Sequence, residues 1–148
     1  MRSPEFKAQP IGIIHSPYTD PKEVPIQGRF SGARGEIEVF PEYEEGLKDV
    51  DGFSHLIILY WFHRAEGCSL LVKPFLDDTP RGLFATRYPA RPNPIGLSVV
   101  RLLERRGNIL QIAEVDVLDG TPLLDIKPYV SQFDQRESAT IGWLTGRL

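Results

Sequence analysis

Glycine and proline punctuate this chain so often that no long regular element fits between them. The 148 residues hold 13 of each, and the intervals between them read as short β-type runs. IGIIHSPY (11–18) is β-branched and closes on Ser-Pro-Tyr, which predicts a strand entering a turn. GEIEVFP (35–41) alternates Ile37 and Val39 with Glu36 and Glu38, the pattern of a half-buried strand. HLIILYWFH (55–63) is apolar on both faces and predicts a central strand. LLVKPFL (70–76) predicts another, with Pro74 placing it at an edge or a bulge. LSVVRLLE (97–104) and ILQIAEVDVL (109–118) predict a hairpin that turns at RRGN (105–108). A second turn, DGTP (119–122), leads into LLDIKPYV (123–130). Only PEYEEGLKDVDGF (41–53) offers a short helix. The pattern predicts a mainly β fold, a small barrel or a sandwich. An exposed edge strand would need covering, and dimerisation is one way to cover it.

A chain of this length makes one domain the default. Its single cysteine, Cys68, cannot form an internal disulfide, which fits a reducing compartment. No N-terminal segment has a signal-peptide pattern, and no apolar run approaches the roughly 20 residues of a membrane span. A cytoplasmic protein is expected. The formal net charge is −3, but between Arg81 and Arg106 lie six arginines (81, 87, 91, 101, 105, 106) and one acid, Glu104. A basic island on an acidic protein suits an anionic ligand, carboxylate or phosphate. Arg105 and Arg106, in the predicted turn, read as ordinary surface charges. Neither G-x-G nor a P-loop occurs, so a Rossmann-type nucleotide site is not expected. Zinc is not expected either, because His15, His55 and His63 lack ligand clustering. The serine elbow G-x-S-x-G is missing.

Three constellations could carry chemistry. Strand parity puts His55, Ile57, Leu59, Trp61 and His63 on one side of their run. His63, followed by Arg64, then stands at a barrel rim, either facing a ligand or bonded to backbone. Asp116 falls on the same predicted face as Leu110, Ile112, Glu114 and Leu118, where an acid needs a partner: an arginine or a ligand cation. Asp119 caps the DGTP turn or faces a substrate. Finally, RYPARPNPIGLS (87–98) packs Arg87, Arg91, Asn93 and three prolines into one stretch. The prolines remove donors and fix φ, so this is an ordered loop with stiffly held side chains. A preorganised arginine fork loses little entropy on binding a carboxylate or phosphate. A stiff linker with solvated arginines satisfies the same residues.

GLFATRYPARPNPIGLSVVRL (82–102) followed by DVLDGTPLLDIKPYV (116–130) resembles the TsaA-like family, the TrmO-type tRNA methyltransferases. IGIIHSPY, GEIEVFPEYEEGL (35–47) and GFSHLIILYWFH (52–63) resemble that family's other blocks, in its order. The resemblance covers residues 9–135 as one barrel domain, leaving an extension at 1–8 and a tail at 136–148. It implies a small non-Rossmann β-barrel with one or two short helices, working as a homodimer with S-adenosylmethionine near the subunit interface. It also implies methylation of N6 of threonylcarbamoyladenosine beside the anticodon of tRNA. Bacterial relatives continue into a C-terminal domain, so a chain of this length is expected to grip RNA with the barrel dimer alone or to take another substrate. A small-molecule methyltransferase and a non-enzymatic cofactor-binding module are the alternatives.

Carried onto this chain, the resemblance implies cofactor contacts from Gln27, Gly28 and Arg29, from His63 and Arg64, from Arg87 and Leu97, and from Val115 and Asp116. Arg91, Asn93 and Lys127 fall to the substrate side. Asp119 is the first candidate for a general base, on motif position, and Asp125 the second. Leu83 and Tyr88 stand where the family pattern leads one to expect smaller residues.

Overall fold

The computed structural model describes residues 4–25 and 32–148. They divide into two compact units, Met1–His63 with Ile95–Tyr129, and Arg64–Pro94 with Val130–Leu148.

The first unit is built by alternation. In β3 (His55–Trp61) the even positions Leu56, Ile58 and Tyr60 are buried, and the odd positions face outward. In β6 (Ile95–Arg106) Gly96, Ser98 and Val100 are buried between exposed neighbours. Adding β1 (Gly12–His15), β2 (Arg34–Val39), β7 (Ile109–Ala113) and β8 (Thr121–Pro128) gives a closed antiparallel barrel in the order β1-β2-β7-β6-β3-β8. Its interior holds Ile14, Ile37, Leu56, Ile58, Val100, Leu110, Ile112 and Leu123, each worth about 1.5–3 kcal/mol of burial. Two short 3₁₀ segments, Pro41–Leu47 and Val50–Gly52, follow β2, and the first sends Leu47 into the core.

The closing seam is the pairing of β1 with β8, Gly12 opposite Leu123 and Ile14 opposite Thr121. It removes the sheet edge that the sequence suggested a second subunit would cover. A Cβ on Gly12 would collide with the Glu38 carbonyl across the β1–β2 ladder, so the close approach demands glycine there. Two register shifts change phase: one in β8, between the partners of Leu59 and Tyr60, and one in β6, between Leu102 and Glu104.

Two strand expectations are corrected. The run predicted over 109–118 ends at Ala113, because Glu114 adopts φ 62, a left-handed conformation that breaks the ladder. The run predicted over 70–76 contracts to β4 (Leu71–Val72), which pairs only with β5 (Arg81–Gly82) in the second unit.

That second unit is held largely by side chains. Asp77 accepts from Arg81 Nε at 3.1 Å and Nη2 at 2.5 Å, and Arg147 approaches the same carboxylate at 3.6 Å. The Arg81 guanidinium lies 5.5 Å from the Trp143 ring centre, and Trp143 Nε1 donates to the Ala85 carbonyl at 2.8 Å. A short helix, α1 (Ser131–Asp134), precedes this contact. The Arg81 side-chain hydrogen bond holds the Asp77 carboxyl below its usual range. A depressed carboxyl contributes its stability above the unfolded value, about 3.9, and loses it as pH falls through the lower folded value. In a Trp61→Phe background, Trp143 emission is therefore expected to stay constant down to the ordinary carboxylate range and to shift only below it. In Asp77→Asn it is expected to be shifted at neutral pH as well. An acid titration followed by fluorescence checks both.

Candidate active site

The chain after β7 must cross one end of the barrel to reach β8. It does so as 114–118, with Val115 and Val117 buried on either side of Asp116. The left-handed Glu114 makes the turn. Asp116 therefore leaves the apolar face on which strand parity placed it. Its Oδ1 accepts a 2.5 Å hydrogen bond from Ser98 Oγ, and Ser98 Oγ lies 2.8 Å from the buried Tyr60 hydroxyl. Sequence reasoning expected an arginine or a ligand cation beside Asp116 and did not name this serine hydroxyl, one of its partners.

The same barrel end carries His63 and Leu97. Trp61 pairs with Ile95 at the start of β6, and His63 follows two residues later. The His63 amide donates to the Trp61 carbonyl at 2.7 Å, and its ring meets the Trp61 ring edge-on at 6.2 Å. Leu97 faces outward, 51% exposed, opposite Leu59. With the cross-strand pairs Ile57–Val99 and Trp61–Ile95 it forms an apolar strip on the barrel's outside. Phe6 to Gln9 join Leu59, Ile95, Leu124 and Asp125 around a cleft of about 460 Å³ beside it. Val115 is fully buried, so its side chain belongs to the core, and its amide donates to the Ala33 carbonyl at 3.3 Å.

Asp119 lies three residues beyond Asp116, in the turn that leads into β8, where its amide donates to the Tyr18 carbonyl. Its Oδ1 accepts from the Ser16 amide at 2.9 Å and stands 3.9 Å from His15 Nδ1, while His15 Nε2 lies 3.1 Å from Glu38 Oε1. The carboxylate thus caps a turn and heads an Asp–His–Glu row. Asp125 is kept out of the core by the β8 bulge, which sets it opposite the outward Leu59. Its Oδ1 accepts from the Ile126 amide, and its Oδ2 pairs with Lys127 at 2.9 Å.

In the second unit Arg64, Arg87 and Asn93 are exposed. Arg87 has no hydrogen-bond or ion-pair partner among the described residues, which suits a guanidinium kept for a ligand. Arg91 is committed to its own loop: Nη1 donates to the carbonyls of Thr86 and Tyr88, and the guanidinium lies 6.0 Å from the Phe84 ring centre. Leu83 is buried, while Tyr88 is exposed. Gln27, Gly28 and Arg29 lie outside the described residues. Reasoning from sequence passed over Tyr60, Ser98 and His15. The available signal was a hydroxyl at Ser98 on the apolar parity of β6.

The tRNA-methyltransferase O N-terminal domain model matches residues 13–135. The chain belongs to this family. A probable S-adenosyl-L-methionine-binding protein of Pyrococcus abyssi is 63% identical over 137 residues, covering 92% of this chain and 74% of that relative. The tRNA (adenine(37)-N6)-methyltransferase of Escherichia coli is 39% identical, covering 84% of this chain and 58% of the enzyme. The crystal structure of TrmO from Pseudomonas aeruginosa superposes with a TM-score of 0.82 at 37% identity, over 97% of this chain and 64% of that one. The family's fold is the mainly β barrel expected from the sequence. The core role of the barrel end is testable: Val115→Ala is expected to cost about 2 kcal/mol, measured by urea unfolding.

Proposed function

We propose that the chain is an S-adenosylmethionine-dependent methyltransferase acting on N6 of the (threonylcarbamoyl)adenosine next to the tRNA anticodon. The observation that carries this reading is the Asp116 carboxylate, anchored by Ser98 at a barrel end, in a chain 39% identical to the E. coli enzyme. S-adenosylmethionine, when bound, supplies a methyl group on a sulfonium centre. The donor set fits it. In the barrel unit Asp116 is an anion for its cationic groups and the Leu97 strip an apolar face for adenine; Arg64 and Arg87, in the second unit, stay proposed for its carboxylate on the family resemblance alone. His63 and the backbone of Val115 complete the proposed contacts of the barrel end. Gln27, Gly28 and Arg29 stay proposed on the family resemblance alone.

The chain's own residues then have to orient the acceptor nitrogen and take its proton. Asp119 is the proposed base. Asp125 has both carboxylate oxygens engaged by Ile126 and Lys127, which leaves it second. Lys127 and Asn93 are proposed to meet the RNA backbone; Arg91 contributes by stiffening the 84–91 loop. RNA binding is expected to weaken with salt. Among the described residues no helix is long and apolar enough to cross a membrane, and the proposed setting is the cytoplasm.

We further propose a homodimer, for which the exposed strip of Trp61, Ile95, Leu97 and Val99 supplies an apolar surface of the kind that seeks a partner. Val99→Glu is expected to halve the mass seen by light scattering; an unchanged mass removes this strip from the interface.

Asp119→Ala is expected to retain cofactor binding and to lose methyl transfer to tRNA by at least about a hundredfold, the usual range for a general base, read by mass spectrometry of tRNA nucleosides. Full turnover in that variant removes Asp119 from the chemistry. The wild-type protein separates the broader readings. Cofactor binding with no RNA affinity points to a small-molecule acceptor, and RNA binding without transfer points to a binding module.

A further inference from the structure

The PIGLS stretch at 94–98 ends in the serine whose hydroxyl anchors Asp116, and a second hydroxyl stands behind it. Gly96 stands opposite Tyr60 in the β3–β6 ladder. A Cβ there would run into the Tyr60 ring and the tip of Phe62. Glycine leaves the phenol room to lie across β6, where Phe62 braces it edge-on at 5.4 Å. The Tyr60 hydroxyl then reaches Ser98 at 2.8 Å, and Ser98 reaches Asp116 at 2.5 Å. Tyr60 and Ser98 are each only 5% exposed.

The direction of these bonds follows from proton counting. An ionised carboxylate only accepts, and a serine has one proton to give. Ser98 donates to Asp116, so its oxygen must accept from Tyr60. The result is a one-way row of donors, Tyr60 to Ser98 to Asp116, ending on a charge. Such charge-assisted, linked bonds are stronger than isolated neutral ones. They fix the rotamer of the carboxylate.

We infer that Tyr60 and Ser98 are positioning residues for Asp116, holding it preorganised as the anion that receives a cationic group of the cofactor. The inference rests on the reading that Asp116 contacts S-adenosylmethionine. Preorganisation lowers the ordering cost of binding, so the loss of either hydroxyl shows first in cofactor affinity.

The test is isothermal titration of purified full-length protein with S-adenosylmethionine, with melting curves as a folding control. Ser98→Thr and Ser98→Val add the same bulk to the buried site and differ only in the hydroxyl. Val is expected to bind at least about tenfold more weakly than Thr, the scale of a hydrogen bond to a charged group. Tyr60→Phe is expected to weaken binding about fivefold in the wild-type background and to have no further effect in the Ser98→Val background, because it acts through Ser98. Equal affinities for the Thr and Val variants, or an undiminished Tyr60→Phe effect on Ser98→Val, overturn the inference. If neither Ser98 variant folds, Tyr60→Phe decides alone, and unchanged affinity there overturns it. Asp116→Asn tests the reading beneath. Unchanged cofactor affinity in that variant removes Asp116 from the cofactor site and the inference with it; lost affinity combined with equal Thr and Val variants removes the relay only.

Discussion

The seam between β1 and β8 is the constraint on which this structure turns. Six short strands cannot bury an apolar face as an open sheet without leaving two edges. Closing them ties the DGTP turn to the exit of β1: the Asp119 amide donates to the Tyr18 carbonyl and the Gly120 amide to the Ile14 carbonyl. Closure also forces 114–118 across the barrel end. Once Val115 and Val117 fill the core there, the residue between them has nowhere to go but toward Ser98. Asp116 owes its position to packing on both sides of it rather than to any local motif.

Most strands were legible because their alternation survives in the structure residue by residue. β2, β3 and β6 bury the positions that a period of two selects. What stayed hidden were the places where the phase breaks. Nothing in EVDVL announces that Glu114 takes a positive φ, a conformation usually left to glycine or asparagine. Extrapolating the strand through it put Asp116 on the wrong face. LLVKPFL looked like a strand because its residues are β-formers, yet Leu70, Leu71 and Phe75 are exposed and only two residues pair. Propensity without a partner strand does not make a sheet.

The arginines show the same limit for the site. Sequence grouped six of them into one island, but the structure uses them differently. Arg81 clamps Asp77, Arg91 braces its loop, Arg105 donates to the carbonyls of Leu47 and Gly107, and Arg106 pairs with Glu104. Arg87 is the one in RYPARPNPIGLS whose guanidinium stays unspent among the described residues. Charge clustering along a chain locates where cations are, while only packing reveals which are still available.

The bulge at Leu103 reaches further than its single residue. Before it, even-numbered side chains of β6 point inward; after it the phase inverts, and Arg105 sits opposite the buried Leu110. That inversion is what lets Arg105 reach back to the carbonyl of Leu47 and pin the 3₁₀ segment over the barrel's far end. Drift in this strand is thereby channelled. Point changes on its outer face are cheap, whereas losing or gaining one residue there would exchange inward and outward side chains along the strand, so its length is held more tightly than its outer letters.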